Sequence, residues 1–298
     1  MSSVIEISNL TRRYDAKVAL NNVSLSLPEG QVLGLIGENG AGKTTLIKHI
    51  LGLLKAQHGS VRVFGLDPVA DPAGVLGNIG YLAEEDFLPG WMRVYELQRY
   101  YQGFYANWDP VHAEELREKF GIDRKATIKQ LSKGQRARVG LMAALSYRPK
   151  LLLLDEPSSG LDPIVRRDIL GSIIRAVADD NRTVLFSSHL LSEIEQVADQ
   201  VAMIKNGEIL FRDSLEEVKS SHVRVTLRFG APKDVPPIVD GAFCWEGRGL
   251  EWTCLYSGNF AALEASAALA GATVVDHNWL SLDEIFVARS ASEEPCPR

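Results

Sequence analysis

Gly37-Glu38-Asn39-Gly40-Ala41-Gly42-Lys43-Thr44, followed by Thr45, decides how the rest of this chain is read. The residues before it, Gln31-Val-Leu-Gly-Leu-Ile36, predict a short buried strand, and those after it, Thr45 to Leu51, predict the first turns of a helix. A glycine-rich turn between strand and helix aims several backbone N–H groups at one point. The positive end of the helix adds to that field, so a polyphosphate fits there. Lys43 is placed to reach the β- and γ-phosphates of a nucleoside triphosphate, and the Thr44 hydroxyl to hold the Mg²⁺ bridging them. The competing reading, a glycine-rich turn with a solvated lysine, leaves the strand and helix setting unexplained.

A second stretch, Leu151-Leu-Leu-Leu-Asp155-Glu156-Pro157, is an apolar run ending in two carboxylates. Such a run predicts a strand buried on both faces of a parallel sheet. Asp155 at its end is placed to hold Mg²⁺ through water beside Thr44, and Glu156 to polarise the water that attacks the γ-phosphate. In a chain without the phosphate loop, the same pair reads as an acidic strand end facing solvent.

The chain has 298 residues, enough for one large domain and a small one. A net charge of −6 and the absence of any basic block beyond Arg12-Arg13 and Arg166-Arg167 argue against a nucleic-acid partner. The longest apolar runs, such as Leu151 to Leu154, fall far short of a membrane span, and the start Met1-Ser-Ser-Val-Ile-Glu6 has no secretory pattern. Work at a membrane therefore requires another chain to cross it. Cys244, Cys254 and Cys296 are odd in number and lack metal spacing, which predicts a reduced, cytosolic setting.

Strand-like and helix-like segments alternate, which predicts an α/β fold with a largely parallel core. Short strands are expected at Val4 to Ile7, Val18 to Leu27, Val61 to Phe64, Ile79 to Leu82 and Thr183 to Ser187. From Met92 to about Lys129 the pattern is helical, with Pro110 opening a new helix; others follow at Leu131 to Ser146, Ile164 to Val177 and Leu190 to Ala198. Asn206-Gly207 predicts a two-residue hairpin turn. After about Leu215 the character changes: Val223, Val225, Leu227 and Phe229 alternate with Arg224, Thr226 and Arg228. The expected division is therefore 1–215, with a helical subdomain at about 91–146, and a small α+β domain at 216–298 with no visible chemistry. Ser290 to Arg298 reads as a frayed end.

The third element is Leu131-Ser132-Lys133-Gly134-Gln135. At a helix start, Ser132 and Gly134 would offer exposed N–H groups as a second anion site. With this motif in place, residues 4 to about 212 resemble the ATP-binding subunits of ABC transporters, which carry Leu-Ser-Gly-Gly-Gln here. The resemblance implies a P-loop NTPase ABC cassette with an N-terminal antiparallel β subdomain and a helical subdomain. It implies ATP and Mg²⁺ as cofactors, held by Gly37, Asn39, Gly40, Gly42, Lys43, Thr44 and Thr45. It places Tyr14 on the adenine, His189 at the γ-phosphate, and Ser159-Gly-Leu-Asp162 where two subunits touch. Ser132, Gly134 and Gln135 would close on ATP held by a partner, in a homodimer or a heterodimer with a paralogous ATPase. The dimer would power a separate membrane permease, for export, from the cytoplasmic face of the cell membrane. Each residue keeps a plainer reading: Tyr14 as packing, and Asp162 as a helix N-cap before Pro163.

Two positions depart from the family pattern. Glu84 stands where a glutamine is usual; it can still ligate Mg²⁺ but adds negative charge, and its neighbour Glu85 is the alternative surface residue. Lys133 replaces the signature's first glycine, facing either the partner's γ-phosphate or solvent. The drug-export-like branch carries similar variants. Of the aromatic residues between Trp91 and Trp108, most are expected to form the helical subdomain's core, with Trp91 and Tyr95 assigned to a groove for the permease. Two rivals stay open: a soluble ABC ATPase acting on ribosomes or DNA, and a regulatory subunit that binds ATP without turnover.

Overall fold

Apolar runs between polar turns build two sheets in the first 212 residues, and the computed structural model describes residues 3–84, 88–180 and 182–290 of the chain. Glu85 and the stretch 291–298 with Cys296, on which expectations fell, lie outside the described residues. Strands β1 (Ser3–Tyr14) and β2 (Lys17–Pro28) form a long antiparallel hairpin. β3 (Val32–Ile36) leads through the glycine-rich loop into α1 (Lys43–Ile50), and β4 (His58–Val63) returns to the edge of the first sheet, ordered β2-β1-β4.

Next come α2 (Pro72–Leu76), β5 (Ile79–Leu82), α3 (Val94–Phe104), α4 (Pro110–Lys119) and α5 (Lys133–Leu145). β6 (Leu151–Asp155), α6 (Pro163–Asp180), β7 (Thr183–Ser188) and α7 (Leu191–Val197) follow, then the hairpin β8 (Gln200–Lys205) and β9 (Glu208–Ser214) across Asn206-Gly207. The second sheet has the order β5-β6-β7-β3-β8-β9 and is parallel from β5 to β8. Its central strands carry nothing but buried residues: Leu151 to Asp155 in β6 and Val32 to Ile36 in β3.

Register is what matters for function. Ile36 pairs with Ser188, and Asp155 with Ser187, so three neighbouring strands end together. The loops leaving their carboxyl ends must therefore meet, as they do in open α/β sheets generally. Leu153 lies in the core with Leu33, Leu185 and Ile47. A Leu153→Ala chain is expected to lose about 2–5 kcal/mol of stability, read from chemical denaturation of the purified protein.

The first strand is longer than the sequence suggested: it runs to Tyr14, where only Val4 to Ile7 was expected. Register shifts between Ile7 and Leu10 and again around Arg12 break the alternation on which a strand is recognised, and Asn9 sits at φ 52 in the left-handed region. α2 was not foreseen either; it is one short turn, capped by the Asp71 carboxylate accepting from Gly74 N–H at 3.0 Å. In the helical region, Tyr101, Tyr105, Trp108 and Tyr147 cluster as core, whereas Trp91 is 74% exposed.

A second compact unit begins at Asp213. It comprises α8 (Leu215–Ser221), β10 (His222–Lys233), β11 (Ala242–Ser257), α9 (Phe260–Leu269), β12 (Ala272–Trp279) and α10 (Leu282–Ser290), with the antiparallel sheet order β11-β10-β12. The alternating Val223, Val225, Leu227 and Phe229 are its buried face, packed with Trp252, Cys254 and Leu263. Burial pushes the Cys254 thiol up to about 12, so it behaves as an inert packing group.

His222 is buried there as a neutral ring. Its Nδ1 lies 2.8 Å from the Val218 carbonyl, and its Nε2 accepts from Arg289 Nε at 3.2 Å. Burial and then the Arg289 charge lower its pKa from 6.5, while the Val218 carbonyl and Asp213 pull the other way. The unfolded chain therefore takes up the proton first, so the stability His222 contributes is complete above 6.5 and is lost as pH falls toward the folded value. His49, buried in α1, is shifted in the same direction by burial and Arg12. Melting midpoints should fall between about pH 7 and about pH 5, and His222→Asn should lessen that slope in thermal scans.

Candidate active site

Lys43 opens α1 with its side chain buried rather than solvated. Its Nζ donates to the carbonyls of Gly37 at 2.6 Å and Glu38 at 3.2 Å, and sits 3.0 Å from Glu156 Oε1. The loop can wrap the ammonium in this way because Gly42, at φ 118, has no side chain; a Cβ there would stand 2.7 Å from the Ala19 carbonyl. The β8–β9 turn braces the loop from below, Gly207 N–H donating to Ala41 O at 2.9 Å.

At the end of β6, Asp155 is buried; Ser187 Oγ donates to its Oδ1 at 2.8 Å and Thr44 makes a second side-chain hydrogen bond. Burial raises its pKa above the usual carboxylate value, and the charges of Glu84 and Glu156 add to this against those two bonds. Glu156 adopts φ 49, a left-handed conformation of the kind that costs a residue with a Cβ roughly 1 kcal/mol or more. It is held there by its own N–H, which donates to Ser187 O at 3.2 Å and to Ser187 Oγ at 3.1 Å. The carboxylate so placed is shared: Oε1 faces Lys43, and Oε2 lies 2.7 Å from Nδ1 of the exposed His189.

Lys43, Thr44 and Glu156 face a cleft of about 300 Å³ whose lining also includes Tyr14, Lys17, Ala19, Asn39, Gly40, Gly42, Thr45 and Glu84. Tyr14 is 40% exposed, with the Arg12 guanidinium 4.6 Å from its ring centroid. Gly37 contributes through its carbonyl to Lys43 rather than by lining the cleft. Lys17 escaped the sequence reading: it lies across the turn from Tyr14 and brings a second ammonium, within 3.8 Å of where a Gly40 Cβ would stand. Ser187 also escaped it, although a serine closing a buried strand beside an acidic strand end was the available signal.

The remaining expected residues stand apart from this cleft. Ser132 is exposed and caps α5, accepting from Gln135 N–H at 3.2 Å while Gln135 Oε1 accepts from Ser132 N–H at 2.9 Å. Gly134, expected to offer an exposed N–H, is buried instead, because α5 comes so near α6 that a Cβ would meet Val165 at 2.5 Å. Lys133 is exposed, in keeping with the solvent-facing alternative, with its Nζ beside Gly160 in the turn after β6. Asp162 caps α6, accepting from the N–H groups of Ile164 at 3.1 Å and Val165 at 3.0 Å.

The donor set suits a hard cation that also takes phosphate and water oxygens. Among the described residues no three His, Cys, Asp or Glu side chains close into a metal cage. Mg²⁺ does not require one, since it keeps waters and needs only one or two protein oxygens. Thr44 and Asp155, hydrogen-bonded to each other, would supply these, and the exposed Glu84, hydrogen-bonded by Ser159 Oγ at 3.3 Å, would add a third within the cleft.

Known proteins share this arrangement of elements. The family profile described as ABC transporter matches residues 20–159. NatA, an ABC transporter ATP-binding protein of Bacillus subtilis strain 168, is 36% identical over 228 residues, which cover 73% of this chain and 92% of NatA. The chain belongs to the ABC transporter ATP-binding family. As an ABC ATPase, it binds ATP. It is also 35% identical to the daunorubicin/doxorubicin resistance ATP-binding protein DrrA of Streptomyces peucetius, over 73% of this chain and 67% of DrrA. A solved ATP-binding subunit of an ABC transporter superposes with a TM-score of 0.66 and 27% identity, over 72% of this chain and 92% of that one. Among the described residues no helix of this ABC ATPase is long and apolar enough to cross a membrane.

Proposed function

We propose that this ABC ATPase works as a head-to-tail dimer, with itself or with a paralogous ATPase chain, and drives a separate membrane permease in the export direction. One observation carries the dimer: the site residues fall into two sets. Lys43, Thr44, Glu84 and Glu156 line one cleft, whereas Ser132 and Gln135 are exposed at the tip of α5 and lie outside that lining. Among the described residues Ser132 Oγ is engaged only by its own capping box, which leaves it open to a phosphate carried on a second chain.

In this reading, adenine stacks on the face of Tyr14 opposite Arg12, and the phosphates rest on the N–H groups from Gly40 to Thr45. Mg²⁺, when bound by Thr44 and Asp155 with Glu84 nearby, supplies charge neutralisation for the phosphates. Lys43 turns from Glu156 toward the γ-phosphate. Glu156, freed of that ammonium, accepts the proton of the attacking water, and His189 fixes the orientation of both. Export is supported by the drug-resistance role in the name of DrrA. The exposed Trp91 and the half-buried Tyr95 are the docking residues proposed for the permease, which would hold this chain at the cytoplasmic face of the membrane.

Mixing two inactive variants tests the shared site. Lys43→Ala spoils the cleft and spares α5, and Ser132→Arg does the reverse. Each alone should release almost no phosphate, while the equimolar mixture should recover roughly a quarter of parental turnover, because half the dimers carry one intact composite site of two. A mixture as inactive as its components sinks the head-to-tail homodimer and leaves only pairing with a paralogous chain, tested by the same mixing against that chain.

A further inference from the structure

Glu193 is a carboxylate only 1% exposed, on α7, to which the chemistry above gives no role. Both of its oxygens are occupied. Ser158 Oγ donates to Oε1 at 2.6 Å, Ser188 Oγ donates to Oε2 at 2.7 Å, and Arg166 Nε lies 3.4 Å from Oε1. One serine lies in the turn after β6 and the other closes β7, and together they flank the reacting pair. Ser158 follows Glu156 by two residues and starts the turn through Ser159-Gly160-Leu161-Asp162, its carbonyl accepting from Leu161 N–H at 3.1 Å. Ser188 immediately precedes His189, and its hydroxyl also accepts from Leu190 N–H at 3.0 Å.

A lone carboxylate inside a protein is strongly disfavoured, and short charge-assisted bonds on both oxygens are what offset that cost. An apolar side chain of similar volume would fill the space without the penalty. What it would not supply is direction. A carboxylate with one serine on each oxygen fixes the segment after Glu156 and the segment before His189 at a set separation. His189 Nδ1 lies 2.7 Å from Glu156 Oε2, a distance that depends on both segments.

We propose that Glu193 is a positioning residue for hydrolysis: it clamps Ser158 and Ser188 so that His189 and Glu156 keep their mutual geometry. The inference rests on the roles given to Glu156 and His189 above. In phosphate-release kinetics on the full chain with Mg-ATP, Glu193→Ala should lower kcat about tenfold to a hundredfold and leave KM within about threefold. Glu193→Gln, which keeps the volume and can bond both hydroxyls, should recover most of the rate.

The readout that a merely structural role would not move is coupling. In a His189→Ala background, Glu193→Ala should cost less than about threefold further, because the group it positions is gone. A folded Glu193→Ala chain with parental kcat, or losses that multiply fully with His189→Ala, overturns the proposal. Should Glu193→Ala fail to fold by circular dichroism, Ser158→Ala and Ser188→Ala carry the test, each expected to lose roughly threefold or more in kcat. Parental rates in both overturn it as well. If Glu156→Gln and His189→Ala themselves keep parental turnover, the failure lies in the catalytic assignment, and the clamp falls with it.

Discussion

A Glu156→Gln chain is expected to bind Mg-ATP and turn it over roughly a thousandfold more slowly than the parent, since a placed general base contributes about 10²–10⁴ in rate. The substitution keeps the shape of the side chain, so the left-handed backbone at Glu156 and its two bonds to Ser187 have no reason to change. It removes two things: the proton acceptor and the charge that faces Lys43 at 3.0 Å. The first loss stops the chemistry. The second releases the ammonium from its competitor, so ATP affinity should stay equal or rise. Phosphate release and equilibrium nucleotide binding, measured on one preparation, separate these effects. Parental turnover removes Glu156 from the reaction, and a joint loss of binding makes it a structural group.

The parts of this site that lie on one continuous stretch of chain were legible in the sequence. The glycine-rich loop and the apolar run ending at Asp155-Glu156 carry their signal locally, since a strand buried on both faces of a parallel sheet reads as a continuous apolar run. What stayed illegible depends on contacts across strands. Ser187 and Glu193 are ordinary residues in sequence; the pairing of β6 with β7 turns the first into a partner of Asp155, and the packing of α7 beside the turn after β6 turns the second into a partner of Ser158. Gly134 shows how one residue type admits two causes. A helix tip that presents N–H groups and a helix that packs tightly on its neighbour both call for glycine, and burial against Val165 favours the second. Lys133 was undecidable for a similar reason, because its resting place on Gly160 is set by a turn 27 residues away in the numbering.

Periodicity failed where backbone irregularity intervened. β1 has register shifts between Ser3 and Ile5, between Ile7 and Leu10 and again around Arg12, and these change which face each residue takes, so Arg12 and Tyr14 do not look like strand residues. Those same shifts bring Tyr14 to the lining of the cleft that holds Lys43 and Thr44 and lay Arg12 on its ring. The second unit was legible for the opposite reason. β10 alternates without interruption from Val223 to Phe229, yet its residues form a packed face and carry no reactive constellation, so the pattern that reveals structure there says nothing about use.

Lys43→Ala is expected to weaken Mg-ATP binding by about a hundredfold or more and to reduce turnover by at least as much, because the ammonium contributes both to binding and to charge neutralisation in the transition state. Its three oxygen neighbours give the substitution a further, structural effect. With Nζ gone, the carbonyls of Gly37 and Glu38 lose their donor and Glu156 loses its cation in a site where both charged groups are at least nine-tenths buried. His189 still faces the other carboxylate oxygen, so the cost in stability should be about 1–3 kcal/mol rather than the larger sum for a fully orphaned charge. Lys43→Arg should not restore binding, because a planar fork of five donors cannot enter a pocket shaped around one compact ammonium. The decisive comparison is the double variant with Glu156→Gln: removing the orphaned charge should return most of the lost stability in denaturant titrations while leaving nucleotide binding as poor as in Lys43→Ala alone. If binding returned together with stability, the lysine would be a brace for the loop and no ligand for phosphate.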